Sequence, residues 1–295
     1  MNIIKNKMIY FIISIVIILI GIGFMIFNYF NGNGIFNFDI QFIGGTSITA
    51  NDIGAFDNDD ISAIISEAVG EEGQIQRVGD TSVNVKTRTL DDEQIIDIKS
   101  RICEKYGIED STIEVTTISA TISDEMQEKA FLAVAVSCIA MLIYVSLRFR
   151  DFKIGASCII ALLHDALIVL ACYAVFRIPL NNSFIAAILT VLGYSINASI
   201  VIFDRLRENK RRIGSRDSEN VMNISIKQSM RRSLYTSLTT FFTILALYIF
   251  GVQSVKEFSL PIVVGIICGT YSSVFLAGSL WYIFDSFKKR PQKSR

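Results

Sequence analysis

The residue types that build most catalytic and metal centres are scarce in this chain of 295 residues. It contains one histidine, one tryptophan, three prolines and five cysteines. We find no Ser-His-Asp arrangement, no phosphate-binding Walker loop and no spaced set of metal ligands. Only Cys103 lies outside the apolar runs described below, which leaves no disulfide framework. We therefore expect a protein that is not an enzyme and that uses no cofactor or metal.

Apolar residues are abundant instead, because 51% of the chain is hydrophobic and its mean hydropathy is +0.46. Runs long enough to cross a bilayer core of about 30 Å occur six times. They cover Ile9 to Phe27, Ala130 to Leu147, Ile154 to Phe176, Ser183 to Phe203, Leu234 to Phe250 and Phe258 to Phe284. The first run is expected to stay as an anchor, since no small-residue cleavage site follows it. The sequence thus predicts a multi-pass membrane protein with six transmembrane helices.

Basic residues are distributed unevenly around these spans. With the N-terminus in the cytoplasm, the inner segments carry 19 of the 28 Lys and Arg residues, and the outer connections after spans three and five carry only Arg177 and Lys256. The positive-inside rule then places both termini in the cytoplasm. The predicted layout is a cytoplasmic N-terminus with the first span (1–29), an extracytoplasmic domain (30–129), a bundle of five spans (130–284) with a cytoplasmic loop (204–232), and a basic tail (285–295).

The polar segment between the first two spans is acidic and reads as a folded domain. It holds 20 acidic and 7 basic residues, which argues against nucleic acid as a ligand. Strands are predicted at Ile35 to Phe42 with Thr46 to Ala50, at Ile75 to Val78, at Ser82 to Thr87 and at Ile113 to Ile118. Helices are predicted at Asp57 to Val69 and Asp91 to Tyr106, each ending before a glycine. This order, with a Gly79-Asp80 turn, predicts a ferredoxin-like βαββαβ domain.

Polar residues at membrane depth are the candidate functional residues, since such groups are costly there and usually line a pathway or meet a partner. His164 and Asp165 lie near the middle of the third span. In the fourth span a polar stripe runs along one face, with small residues that permit close helix approach. The stripe consists of Thr190, Tyr194, Asn197 and Asp204, and the small residues are Gly193 and Ser199. Hydrogen bonds that merely join helices are an equally open reading for Thr190, Tyr194 and Ser199.

Two further features of the last spans admit more than one reading. Arg232 lies near the inner edge of the fifth span, where a long side chain can reach the interface or can serve a pathway. Gly265, Gly269 and Ser273 follow one another at intervals of four, a spacing typical of closely packed membrane helices.

The fourth span carries the most specific motif, from Ala186 to Asn209: AAILTVLGYSINASIVIFDRLREN. This segment, which includes Ser195 and Arg205, resembles the signature of the SecF branch of the SecD/SecF family, within the resistance-nodulation-division (RND) superfamily. Further matches are Phe42 to Thr46, Arg148 to Arg150, His164-Asp165, Arg232 with Thr236 to Thr240, and Gly265 to Ser273. The resemblance covers nearly the whole chain.

This resemblance implies a subunit of the Sec export machinery in the bacterial plasma membrane. Members pair with SecD as two pseudo-symmetric six-helix halves. Together they use the cation-motive force to help the SecYEG channel and the SecA motor complete export, and their outer domains engage the unfolded polypeptide. The lipid bilayer is the remaining partner that we expect.

Two departures from the family pattern bear on ion coupling. The family usually has Gly-Tyr-Ser-x-Asn-Asp-Thr, with the Asp implicated in coupling, whereas this chain has Asn197-Ala198-Ser199. Ser119-Ala120 stands where a Gly-Pro commonly precedes the second span. Our hypothesis is that any proton relay uses Asp165 and Arg232, in a seam with His164, Asn197 and Asp204, together with an acid from SecD. The alternatives are a scaffold without ion coupling and an RND-type exporter of small molecules or lipids.

Overall fold

The computed structural model describes residues 2–32, 34–71, 73–78, 81–214 and 217–289, with the side chains of 288 and 289 excepted. The predicted Gly79-Asp80 turn and most of the basic tail therefore lie outside the described residues. In chain order the elements are α1 (Lys7–Phe30), α2 (Ile40–Ile43), β1 (Gly45–Ala50), α3 (Asn58–Val69), β2 (Gln74–Val78), β3 (Ser82–Thr87), α4 (Asp92–Tyr106), β4 (Ile113–Ile118), α5 (Ala120–Phe149), α6 (Phe152–Phe176), α7 (Asn182–Ile213), α8 (Ser218–Phe250), α9 (Gln253–Tyr271), a π-helical segment (Ser272–Ala277) and α10 (Gly278–Lys289).

Six helical stretches in the described part of the chain are long and apolar enough to cross a membrane, which confirms the predicted number of spans. They are α1, α5, α6, α7, α8 and the continuous stretch Gln253–Phe287 that joins α9 to α10. A polar residue caps the start of three of them: Asp151 for α6, Asn181 for α7 and Asp217 for α8, each accepting a backbone N–H of the first turn. These caps set where each helix begins.

The chain divides into two compact units. The smaller one runs from Phe38 to Phe131, and the larger one combines Met1–Asn37 with Leu132–Arg295 and contains most of the membrane helices. In the larger unit α7 packs against α6, α8 and α9, and its inner side chains join the main core with Leu162, Phe203 and Trp281. By contrast, α1, α5 and α8 leave most of their apolar surface exposed. In a bilayer, lipid or another protein covers such surface.

The smaller unit contains a four-stranded antiparallel sheet in the order β2-β3-β1-β4. Ile48, Ile61, Val85 and Ile98 are completely buried in a core that α3 and α4 share with the sheet. The strands and helices follow one another in the predicted order.

Sequence signals set the ends of the two helices in this unit. Asp57 and Asp91 cap the starts of α3 and α4. At the C-terminal ends, Gly70 and Gly107 adopt left-handed backbone with φ of 79° and 65°. Both helices therefore end at the glycines that the sequence marks.

The prediction of a strand over Ile35 to Phe42 is wrong. Residues 40–43 form the short helix α2 instead, because the Asp39 side chain accepts the backbone N–H of Gln41 and starts a helical turn. Gly44 then turns the chain at φ 77°, a conformation that favours glycine, before β1 begins at Gly45. Alternating apolar residues alone do not reveal this cap and turn.

Candidate functional site

A completely buried carboxylate, Asp165 on α6, lies where three membrane segments meet. Its Oδ2 accepts hydrogen bonds from Ser195 Oγ on α7 at 2.6 Å and from Ser272 Oγ in the π-helical segment at 2.8 Å. Its Oδ1 lies 3.0 Å from Nδ1 of the neighbouring His164. Every oxygen of this carboxylate thus has a partner, as a buried polar group requires.

The π-helical segment explains how two consecutive serines reach this cluster. Ser272 faces Asp165, while Ser273 Oγ lies 3.2 Å from Ser199 Oγ and 3.4 Å from the backbone oxygen of Ser195. The extra residue of a π-turn changes which side chains face the neighbouring helix, and such turns are frequent at functional sites. The segment therefore joins α6 and α7 through a buried network of hydroxyl groups.

Two glycines let α9 approach α7 next to this network. A Cβ added at Gly265 would lie 2.3 Å from Cγ2 of Val191, and one added at Gly269 would lie 3.1 Å from the Ser195 side chain. Gly193 differs, because nothing lies within 4 Å of the Cβ position there. Gly265 and Gly269 thus face a helix neighbour, and Gly193 does not.

His164 connects the cluster to α1. Its ring stacks against Tyr271 with centroids 6.2 Å apart, and the Tyr271 hydroxyl donates a hydrogen bond of 2.8 Å to the backbone oxygen of Tyr10. The other ring nitrogen of His164, Nε2, is buried and has no hydrogen-bond partner among the described residues. An imidazole ring is thus held directly beside the Asp165 carboxylate.

A second polar region lies on the opposite side of α7, in a groove between α7 and α8. The part beside Asn197 has a volume of about 80 Å³, and the part beside Asp204 has a volume of about 290 Å³. Val201 and Arg232 line both parts. We call this surface the outer groove; its polar and small members are Tyr194, Asn197, Ala198, Asp204, Arg205, Glu208, Gln228, Ser229, Arg232, Ser233, Thr236 and Ser237.

Charges in the outer groove are only partly paired. Asp204 lies 3.3 Å from the Arg148 guanidinium, and Arg205 pairs with Glu208. Arg232 is exposed and makes no ion pair within the described residues. Ala198 contributes a methyl group to the same groove. Among the described residues, the groove therefore contains an arginine without an acidic partner.

The residues predicted to form one seam lie in two places. Asp165 and His164 are inside the unit, whereas Asn197, Asp204 and Arg232 line the outer groove. Helical geometry explains why these residues separate. Ser195 and Asn197 are two residues apart, which is about 200° around the axis of α7, so they lie on nearly opposite faces. Thr190 and Gly193 are exposed on the same side as Asn197.

Ser272 and Tyr271 are site residues that sequence reasoning did not single out. Both fall inside the motif from Gly265 to Ser273, where the small residues suggested packing alone. The available signal was a pair of serines three and four residues after Gly269. Their contact with Asp165 depends on the π-turn, which the sequence pattern does not reveal.

Comparison with known proteins relates this architecture to protein export. Residues 98–286 match the family model described as protein export membrane protein SecD/SecF, C-terminal. The protein translocase subunit SecF of Sebaldella termitidis is 33% identical, over 100% of this chain and 95% of the relative, and that of Synechocystis is 32% identical, over 92% and 90%.

Solved structures give the same result. The crystal structure of SecDF from Thermus thermophilus, described as a translocon-associated membrane protein, superposes with a TM-score of 0.84 at 31% identity. The match covers 98% of this chain and 39% of that chain. Both the sequence and the fold thus confirm the resemblance predicted from the fourth-span motif. This chain belongs to the SecD/SecF family of protein-export membrane proteins, and its full-length relatives are SecF subunits.

Proposed function

We propose that this chain pairs with a SecD-like chain and promotes late steps of polypeptide export across the bacterial plasma membrane, drawing on the cation-motive force. One observation carries the proposal: the outer groove exposes Asn197 and the unpaired Arg232 on the surface of a membrane-helix bundle. A charged side chain on a membrane helix is costly unless water or a polar partner surrounds it, so such groups usually face a pathway or a partner.

Threonines extend this polar surface along α8. Thr236, Thr239 and Thr243 are exposed at helical spacing, and each hydroxyl donates to a backbone oxygen of its own helix. Small side chains with satisfied hydroxyls suit close contact with another helix. The outer groove and these threonines together form a surface of the kind that a second helical half would cover.

The relatives support a SecD-like occupant for this surface. SecDF of Bacillus subtilis is 38% identical over 194 residues, and that match covers 26% of its length. The chain likewise spans only 39% of the Thermus SecDF chain. In our proposal the remaining part of those long chains corresponds to the separate SecD partner, and the assembly acts with the SecYEG channel and SecA.

The orientation proposed here follows the positive-inside rule. It places both termini in the cytoplasm and the acidic unit from Phe38 to Phe131 on the other side, where that unit engages the unfolded polypeptide. The strand order β2-β3-β1-β4 with two helices supports a ferredoxin-like domain.

For ion coupling we propose two sites that act in series. Asp165 and His164 form the inner proton-carrying pair, because both are titratable, buried and in mutual contact. Arg232 forms the outer site together with a carboxylate from SecD, since Ala198 cannot carry a proton. The gradient, and no nucleotide, supplies the energy in this scheme.

The test is late-stage export by the reconstituted complex with its SecD-like partner and the translocon, with and without an ion gradient. The proposal expects export to slow when an ionophore removes the gradient. Asp165→Asn should remove that dependence, whereas Thr190→Ala, which alters an exposed hydroxyl outside the cluster, should leave it intact. Export that is indifferent to the gradient in the unaltered complex would exclude the coupling proposal.

Ala198 favours one alternative function, a SecD-binding scaffold that moves no ions. Introducing the family carboxylate by Ala198→Asp separates the two readings, with Ala198→Asn as the control for size and polarity. A scaffold should acquire gradient dependence only with Asp, whereas a coupled subunit has that dependence already. The relatives are named as translocase subunits, which disfavours the exporter alternative.

A further inference from the structure

A small basic pocket lies at the junction of α5, α6 and α7, away from both polar regions described above. It encloses about 190 Å³. Apolar Phe149, Ile154 and Leu206 line one part, and Arg207, Lys210 and Arg211 line the other. Asp151 also borders the pocket, but its Oδ1 accepts the backbone N–H of Lys153 and caps α6. The charged lining is therefore predominantly positive.

The two arginines differ from most basic residues around them. Neighbouring cations have acidic partners: Arg148 with Asp204, Lys153 with Asp285, and both Arg205 and Arg212 with Glu208. Arg207 and Arg211 make no ion pair with any described residue. They are four residues apart on one helix, so their side chains project from the same face. Two guanidinium groups are thus available to a ligand at the pocket.

Lys210 is held at the rim by an aromatic ring. Its Nζ lies 4.2 Å from the ring centroid of Trp281, which is completely buried. Such a cation–π contact fixes the position of the ammonium group while leaving its charge in place. The ammonium group of Lys210 is therefore held at the rim of the pocket by this contact.

The position of the pocket along α7 indicates which region of the bilayer lies beside it. Helix α7 has 32 residues and is about 48 Å long at 1.5 Å per residue, which exceeds the hydrocarbon core of about 30 Å. Its last two turns, which contain Leu206 to Arg211, then reach the headgroup region when its first turn lies at the opposite boundary. The apolar lining matches the upper part of an acyl chain, and the basic lining matches a phosphate.

We propose that this pocket binds the phosphate of an anionic phospholipid. Arginine fits phosphate because its planar guanidinium donates two parallel hydrogen bonds, and basic pockets between membrane helices are known headgroup sites. The pocket volume of about 190 Å³ exceeds the space that a single water molecule needs many times over, which leaves room for a phosphate group. Free phosphate has the same anionic chemistry but would make no use of the apolar lining.

The test is native mass spectrometry of the full-length chain with phosphatidylglycerol, set against zwitterionic phosphatidylcholine. The double variant Arg207→Gln/Arg211→Gln should bind phosphatidylglycerol about thirtyfold more weakly, since each of the two basic residues near a headgroup contributes about 1 kcal/mol. The matched control is Lys227→Gln/Arg231→Gln, which removes two charges of α8 that do not line the pocket. It should bind within about twofold of the unaltered chain.

Three outcomes decide the proposal. Equal loss in both double variants would overturn it, because attraction would then depend on overall charge alone. Displacement of the lipid by excess inorganic phosphate would also overturn it, because the pocket would then accept a soluble ion. Binding in the charge-preserving Arg207→Lys/Arg211→Lys variant that is weaker than in the unaltered chain but stronger than in the Gln variant supports it, because lysine keeps the charge and loses the paired hydrogen bonds.

Discussion

Polar residues lie on both sides of α7, buried on one side and exposed on the other. On the inner side Asp165 has hydrogen-bond partners on α6, α7 and the π-helical segment, and none of it is exposed. On the outer side Arg232 and Asn197 line a groove that the chain itself leaves open. A polar group in a membrane must be satisfied by its own chain or by a partner. The inner side therefore stabilises this chain, and the outer side is suited to joining another.

The largest expected effect comes from removing the inner carboxylate. Asp165→Ala leaves the hydroxyls of Ser195 and Ser272 without their buried acceptor, so we expect the free energy of unfolding to fall by about 2 to 4 kcal/mol. Unfolding of the purified chain in detergent by a denaturing surfactant measures this. Asp165→Asn keeps one acceptor and should lose less, and Thr190→Ala should lose almost nothing. If Asp165→Ala is as stable as the unaltered chain, the inner cluster does not hold the bundle together.

A smaller loss is expected from the glycine that faces α7. Gly265→Ala would place its Cβ 2.3 Å from Val191, and because valine is stiff the helices must separate, at a cost of about 1 to 3 kcal/mol. Gly193→Ala is the matched control, because Gly193 lies on the exposed outer side of α7. Its new methyl meets nothing within 4 Å, so stability should stay constant or rise by up to about 1 kcal/mol. The same unfolding assay compares both, and equal destabilisation would show that α9 does not pack closely on α7.

A substitution on the outer side should weaken binding to the SecD-like chain and leave the free energy of unfolding almost unchanged. Arg232→Gln removes a charge without a partner in the described chain, so unfolding should change by less than about 0.5 kcal/mol. Binding to the SecD-like chain should weaken about tenfold, which corresponds to about 1.4 kcal/mol. Titration of the labelled partner in nanodiscs measures this affinity. Arg231→Gln is the control, because Arg231 lies 5.9 Å from the Tyr235 ring and does not line the groove. Equal weakening in both variants would contradict a specific role for Arg232.

Much of the architecture could be predicted from local signals. Spans follow from apolar length, and the ends of α3 and α4 follow from an acid before the helix and a glycine after it. The strands Ser82–Thr87 and Ile113–Ile118 agree with their predicted bounds because alternation and β-branching coincide there. These features depend on residues close together in the chain.

Features that depend on distant packing could not be predicted. Periodicity places Asn197 and Ser195 on different faces of α7, but it does not tell which face another helix covers. Ser272 reaches Asp165 from a π-turn, which changes the side chains that face α6 and which the sequence pattern does not reveal. The predicted seam therefore combined residues that the fold separates. The resemblance to a family supplied the partner, which neither periodicity nor spacing identifies.

The most direct test of the central claim is a photo-activated cross-linker placed in turn on two exposed positions of the assembled complex. Thr239 on α8 belongs to the polar surface, and Ile143 on α5 is an exposed apolar residue whose exposed neighbours one turn away, Ile139 and Leu147, are apolar as well. We predict an adduct with the SecD-like chain from position 239 and lipid adducts alone from position 143. Cross-linking to that chain from position 143 but not from position 239 would contradict the assignment of the outer side of α7 and α8 as the partner surface.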